Sequence, residues 1–213
     1  AEHIGGTAIE YAIQVKGLSF PAHDPRASNG VALEYATANR GACHVSAVMS
    51  PTNPKTTIPD LGIFGVERFA TEGMGNIVAK RQDFISLINS LMCCFFLVVP
   101  GATGLSASVQ PSHFLEWLNC TTGWDLDLRE FLRCGERIFN LQRMINVRRG
   151  ISRKDDILPP RILTHKLQEG GAAANLPPIG PMLNEYYSYR GWSEEGIPTT
   201  AKLVELGLEE LCT

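Results

Sequence analysis

Apolar residues recur at helical spacing along most of this chain, and no alternating run of apolar and polar positions lasts beyond a few residues, so the pattern predicts helices rather than a sheet. The most apolar stretch runs from Arg81 to Val99, where Phe84, Ile85, Leu87, Ile88, Leu91, Met92, Phe95 and Phe96 leave almost no polar face. A helix of that kind is buried on most sides. Lys80, Arg81 and Asp83 open it, and Ser86, Asn89 and Ser90 interrupt it. Pro100-Gly101 closes it short of the roughly 20 residues that a bilayer crossing takes, so a central core helix is expected.

The clearest amphipathic pattern spans Asp127 to Arg149. Asp127 with Glu130 resembles a capping box, and Leu128, Phe131, Leu132, Ile138, Leu141 and Ile145 recur at helical spacing as the inward face. Arg148 and Arg149 favour the negative end of the helix dipole before Gly150 stops it. Shorter helices are expected over Gly30 to Arg40, ending at Gly41, and over Pro111 to Asn119, with Phe114, Leu115 and Leu118 inward. Two more are expected over Pro181 to Tyr189 and over Thr199 to Leu206, the latter stopped by Gly207. Pro51 to Pro59 and Gly101 to Ser108 read as loops, and an irregular segment holding Gly170-Gly171 lies between Pro159-Pro160 and Pro177-Pro178. The expected fold is all-α and multihelical, one domain over residues 1–213.

Composition narrows the class. The chain has 213 residues, 44% hydrophobic and 19% charged, enough for a sizeable core. A net charge of -3 gives no electrostatic footprint for nucleic acid, and the one basic cluster, Arg143 with Arg148-Arg149 and Arg153-Lys154, is short. Six cysteines (Cys43, Cys93, Cys94, Cys120, Cys134 and Cys212) lack framework spacing and read as reduced thiols, so a cytoplasmic protein is expected. The start, Ala-Glu-His-Ile-Gly-Gly, lacks the basic and apolar regions of a signal peptide and an initiator Met.

The candidate chemistry gathers between Pro21 and His44, where two His, two Arg, an Asp and a Cys fall within 24 residues. His23 and His44 are 21 positions apart, unlike a helical metal pair. Arg40-Gly41 allows the backbone to approach something bulky, another helix included. By residue type alone, His44 reads first as a structural hydrogen-bonder and Cys93-Cys94 first as small hydrophobes in a core, while His23 suits the cap of a turn as well as a pocket.

Pro21-Ala22-His23-Asp24-Pro25-Arg26, Gly30, Tyr35-Ala36-Thr37 and Asn39-Arg40-Gly41-Ala42-Cys43-His44 together resemble the tungsten-containing aldehyde:ferredoxin oxidoreductases, near the start of their C-terminal domain. Gly123-Trp124-Asp125, Gly135-Glu136-Arg137-Ile138 with Asn140, Leu158-Pro159-Pro160-Arg161, Tyr186-Tyr187 and Arg190-Gly191-Trp192 continue the likeness in the family's order. The resemblance implies a helical C-terminal domain of an enzyme that oxidises aldehydes to carboxylic acids at a tungsten bis-pterin centre. Electrons would leave through a 4Fe-4S cluster to ferredoxin.

It also implies roles. His44 would hydrogen-bond the substrate's carbonyl oxygen, where attack on the aldehyde carbon builds negative charge that a placed donor stabilises. His23 stands where relatives carry a Tyr lining the same pocket. The family's Asp-x-x-Gly-Leu-Cys motif falls on Asn89, Met92, Cys93 and Cys94, which makes Cys94 the cluster ligand and puts Asn89 and Cys93 beside the pterin. Asn keeps one carbonyl acceptor where Asp offers two charged oxygens, and Met adds bulk where the backbone approaches the cofactor. On a helix, adjacent residues point about 100° apart, so Cys94 is expected at the surface and Cys93 more buried.

The family's other cluster cysteines, its second Asp-x-x-Gly-Leu motif, its catalytic Glu and its N-terminal pterin-cradling domain have no counterpart in these residues. The chain is therefore expected to be part of a longer enzyme and, alone, to be inactive and to bind neither tungsten nor cluster. Its partners would be the missing domains, ferredoxin, an aldehyde and possible further copies of itself. Two alternatives stand beside this reading: the tungsten subunit of an aromatic acyl-CoA reductase, and a degenerate helical interaction domain without metal.

Overall fold

The computed structural model describes residues 1–47, 57–99 and 109–212. Most of the expected Pro51–Pro59 loop and the Gly101–Ser108 loop lie outside the described residues. The fold is all-α and multihelical: α1 (Asn29–Thr37), α2 (Met74–Ser90), α3 (Pro111–Thr122), α4 (Leu128–Arg148), α5 (Pro160–Thr164), α6 (Ile179–Arg190) and α7 (Thr200–Glu205). Two small antiparallel hairpins accompany them, β1 (Gln14–Val15) with β2 (Leu18–Ser19) and β3 (Thr57–Ile58) with β4 (Ile63–Phe64). Among the described residues no helix is long and apolar enough to cross a membrane.

Helix α2 is the axis, packed against both α4 and α6. Its first half (Met74, Val78, Ala79) joins a core cluster with α1, Met182, Tyr186, Tyr187 and Trp192, and its second half (Phe84, Ile85, Leu87, Ile88) joins another with Phe114, Phe131 and Val98. The Glu185 carboxylate of α6 accepts the Gly73 and Asn76 amides at 3.0 and 3.4 Å, a negative charge on the positive end of α2. The helix therefore begins seven residues before the expected Arg81, where Gly73 and Gly75 obscure a start.

It also ends earlier, at Ser90 rather than near Val99. The amide of Met92 donates to the Asn89 carbonyl and that of Cys93 to the Ile88 carbonyl, with Met92 at a φ of 56°. This is the Schellman arrangement, in which a left-handed residue reverses the chain and satisfies the last carbonyls. A 3-10 turn, Phe95–Val98, follows. The apolar run continues because the turn packs on the same cluster as the helix, so hydrophobicity alone hides the break.

The capping box of α4 forms: the Glu130 amide donates to Asp127 Oδ1 at 2.8 Å and the Asp127 amide to Glu130 Oε2 at 3.4 Å. Its inward face differs from the apolar count. Phe131, Gly135, Phe139, Asn140, Arg143 and Met144 are buried, whereas Leu141 and Ile145 are 39% and 46% exposed. Two polar residues turn inward because they have partners there. Asn140 Oδ1 accepts the Trp192 indole N–H at 2.7 Å, and Arg143 forks onto both oxygens of buried Asp156 at 3.0 and 2.8 Å. Arg143 thus leaves the surface basic cluster.

Gly135 lets α4 touch α2 backbone to backbone. A Cβ there would lie 2.2 Å from the Asp83 carbonyl oxygen. Gly135→Ala should force the helices apart and lower stability by about 1–3 kcal/mol, read from the midpoint of chemical denaturation.

Candidate functional site

Helix α1 is the platform: all nine of its residues are buried. It stops at Thr37, four residues before Gly41, which has a different task. At a φ of 101°, Gly41 turns the chain so closely against β1 that a Cβ would sit 2.3 Å from the Val15 carbonyl oxygen. The bulky neighbour expected at Arg40-Gly41 is therefore a hairpin, not a helix.

Around this platform the two histidine segments converge. The Tyr35 hydroxyl donates to the His23 carbonyl at 3.2 Å, and Arg26 pins the same turn by bonding Asp24 (3.0 and 2.6 Å) and the His165 carbonyl (2.6 Å). On the other segment, Ser46 bonds back to the Cys43 carbonyl through its amide at 3.4 Å and its hydroxyl at 3.1 Å, closing a turn that carries His44. The His23 and His44 rings stack, with centroids 5.0 Å apart and planes at 29°. Burial, helped by His23 and Arg40, lowers the His44 imidazole below its ordinary 6.5. At neutral pH the His44 ring is thus uncharged, with one N–H to donate and one nitrogen to accept.

Asn89 reaches the neighbourhood from α2. Together with Asn39, Arg40, Ser46, Gln142 and Asn146 it lines a cleft of about 340 Å³. Asn39 donates to the Phe139 carbonyl at 3.0 Å and to Gln142 Oε1 at 3.3 Å, and its own Oδ1, though buried, has no partner. The cleft is thus rich in amide donors and acceptors with one acceptor left over. Ile145, expected in the core, forms part of its rim. Neither His44 nor Cys93 nor Cys94 lines it. Gln142 and Asn146 escaped the sequence reading because they face outward on α4, about a hundred positions from Asn39 and Arg40, and only packing brings them there. A larger cleft of about 680 Å³, lined by Asp60, Lys80, Asp83, Arg133, Glu136 and Tyr189 among others, contains no His or Cys.

Cys93 and Cys94 are not on a helix, which corrects the geometry expected for them. They follow the left-handed Met92 outside any helix or strand, Cys94 at φ -67° and ψ 126°. The order of exposure is as expected for a different reason: Cys94 is exposed, while Cys93 is half-buried against the cluster at the end of α2, its thiol 3.7 Å from the Leu91 carbonyl. Among the described residues all six cysteines are free, and no three potential ligands group to hold a metal.

Met92 is 93% exposed in a conformation that suits Gly. Met92→Gly loses no packing and relieves a left-handed strain worth about 1 kcal/mol or more, partly offset by the freer unfolded chain. The variant should denature at higher temperature, by a margin equivalent to roughly 0.5 kcal/mol.

Comparison with known proteins follows the same lines. Residues 1–208 match the family model described as aldehyde ferredoxin oxidoreductase, domains 2 and 3. Over 215 aligned residues the chain is 36% identical to the tungsten-containing aldehyde ferredoxin oxidoreductase of Pyrococcus abyssi, covering 99% of this chain and 32% of that one. With the enzyme of the same name from Pyrococcus furiosus the figures are 34%, 94% and 31%. The WOR-like subunit of an aliphatic sulfonate oxidoreductase from Pyrococcus furiosus is 28% identical, covering 97% and 29%. The fold is shared with the active site complex BamBC of benzoyl coenzyme A reductase, at a TM-score of 0.71 and 18% identity over 99% of this chain and 35% of that one. The chain thus spans about a third of the length of these relatives. A family-model match over residues 1–208, together with relatives 34 to 36% identical over nearly all of the chain, places it in the aldehyde ferredoxin oxidoreductase family.

Proposed function

We propose that this chain is one helical unit of a longer cytoplasmic oxidoreductase that converts an aldehyde to a carboxylic acid and passes the electrons to ferredoxin. The reading has the support of the tungsten-containing relatives from Pyrococcus. The observation that carries it is the convergence on α1 of two histidine turns, next to a polar cleft whose opposite wall, Asn89, stands just before the cysteine turn. One unit is favoured over two because α2 is shared by both large core clusters.

The residues fit the groups that the family implies. Asn39, Asn89, Gln142 and Asn146 offer the mixed donors and acceptors that a pterin's edges require, with Asn39 Oδ1 awaiting an N–H. Cys94 presents one exposed thiol, one of the four ligands that a cubane cluster takes, and the other three would come from elsewhere in the protein. Held there, a tungsten–pterin centre would supply the two-electron acceptor and a cluster on Cys94 a one-electron exit. The chain's own contribution is to substrate. Oxidation adds a water oxygen to the aldehyde carbon and removes two electrons and two protons. As that oxygen attacks, charge grows on the carbonyl oxygen, and the neutral His44 ring donates its N–H to it. His23, stacked on the same ring, sets a second imidazole against the one that donates.

His44→Ala in the full-length protein, assayed with acetaldehyde and benzyl viologen, should lower kcat on the order of 10²-fold, the scale of one lost oxyanion donor. Wild-type kcat would remove His44 from the reaction. Tungsten and iron analysis of the same protein bears on the interaction-domain alternative, which predicts neither metal. A second reading, chemistry on a substrate other than an aldehyde, has the support of the sulfonate oxidoreductase relative and of the His23, Asn89, Met92 and Cys93 replacements.

A further inference from the structure

We infer that Glu34 and Arg81 are positioning residues for His44, two buried charged side chains that hold its turn by the backbone from two different helices. The inference rests on the role of His44 proposed above. Glu34 Oε1, on α1, accepts the Ala47 amide at 2.7 Å and the Ser46 hydroxyl at 3.2 Å. Arg81 Nε, on α2, donates to the Ala47 carbonyl at 2.6 Å. Residue 47 is thereby gripped at its N–H and at its C=O, three positions beyond His44, at the exit of the turn that Ser46 closes onto Cys43.

The choice of groups is costly if stability is the purpose. Glu34 is 0% and Arg81 4% exposed, and charges so deeply buried forfeit hydration that a pair of apolar side chains would never need. What the charged pair adds is direction: a carboxylate and a guanidinium accept and donate along fixed lines, whereas apolar packing tolerates sliding. The arrangement extends to the partner ring. Tyr35, the residue after Glu34, holds the His23 carbonyl, so consecutive residues of a fully buried helix set both members of the stacked pair. Arg81 adds a second register. It lies eight residues, about 12 Å of helix, before Asn89, so the His44 turn is tied to the helix that carries the cofactor-side residues.

The double variant Glu34→Leu/Arg81→Met in the full-length protein separates positioning from mere support. Removing both charges together avoids stranding either without the opposite charge of the other, and replacements of buried charges by apolar groups of similar volume are often neutral or stabilising for the fold. With positioning, kcat for acetaldehyde should fall roughly 10-fold with little change in KM, since small misplacements of an acting group are expensive. Carbethoxylation of His44 by diethyl pyrocarbonate, followed by mass spectrometry, should quicken at least about threefold as the turn loosens, while His113 and His165 react as before. Combining the double variant with His44→Ala should be no slower than His44→Ala alone. Ser46→Ala, which removes one hydroxyl and leaves the charges in place, should shift both readouts in the same direction by less, and it decides the matter if the double variant does not fold. Arg81→Lys, whose ammonium can still donate to the Ala47 carbonyl, should recover most of the rate. Unchanged His44 modification in the double variant and in Ser46→Ala, or a rate loss that multiplies with that of His44→Ala, would overturn the inference. If His44→Ala itself keeps the wild-type rate, the proposed role of His44 fails, and the modification rates alone then show whether Glu34 and Arg81 hold the turn.

Discussion

Cys94→Ala in the full-length protein should abolish the iron–sulfur cluster, seen as loss of iron by elemental analysis and loss of the broad visible absorption of a cubane centre, whereas Cys93→Ala should keep both. The two thiols are chain neighbours with different surroundings. Cys94 is exposed and opens the Phe95–Val98 turn, so its removal uncovers little packed surface. Cys93 packs against the cluster built on the end of α2 and bonds weakly to the Leu91 carbonyl. Cys93 faces the packed side chains at the end of α2 whereas Cys94 is exposed, so a metal cluster reached by one cannot be reached by the other without rebuilding the turn. The cost of Cys93→Ala should be a packing loss of about 1 kcal/mol, visible as a lower denaturation midpoint with full iron content. Full iron after Cys94→Ala, with loss after Cys93→Ala, would reverse the assignment.

Asp156→Ala should be the most destabilising single substitution away from the proposed site, by about 3–5 kcal/mol, the range for removing one partner from a buried ionic network. Asp156 is 1% exposed and stands at the centre of four bonds. Its Oδ1 accepts Lys16 at 2.7 Å and Arg143 at 3.0 Å, and its Oδ2 accepts Arg143 at 2.8 Å and the Tyr187 hydroxyl at 2.5 Å. Without it two buried cations lose their counter-charge. Burial alone already lowers the Lys16 ammonium from its ordinary 10.5, and Asp156 is the principal influence opposing that. Lys16 also holds a left-handed backbone, φ 51°, in the two-residue loop between β1 and β2, so the network keeps in place a turn that its sequence does not favour. Denaturant unfolding of Asp156→Ala should show a large fall in midpoint at an unchanged slope. A change below about 1 kcal/mol would mean that water enters and satisfies the cations.

The Asp127–Arg149 helix shows both sides of what could be read in advance. Its ends are local matters: a capping box needs only Asp127 and Glu130 three positions apart, and it formed. Its face was not local. Counting apolar residues put Leu141 and Ile145 inside, yet Asn140 and Arg143 took those directions because Trp192 and Asp156, far along the chain, supply partners that make burying them tolerable. Pairing of this kind leaves no trace in a hydrophobic pattern.

The same division governs the candidate site. The motif residues from Pro21 to His44, and the cysteine after a Gly-like position at 92, were legible because turns and chemical groups are specified within a few residues. The C-terminal stop of the central helix was not, since a Met stands where Gly would have marked it and the left-handed turn is held by its backbone bonds to Asn89 and Ile88. By itself the sequence determined the helical class and the family, and it supplied the residues on which the proposed site is built. Tertiary structure alone decided that His23 stacks on His44, that Asn89 meets Gln142 and Asn146 across a cleft, and that Glu34 and Arg81 grip the turn between them. Those contacts depend on how α1, α2 and α4 cross, and crossing is set by the space between side chains and by buried partners distant in sequence, not by any run of neighbours.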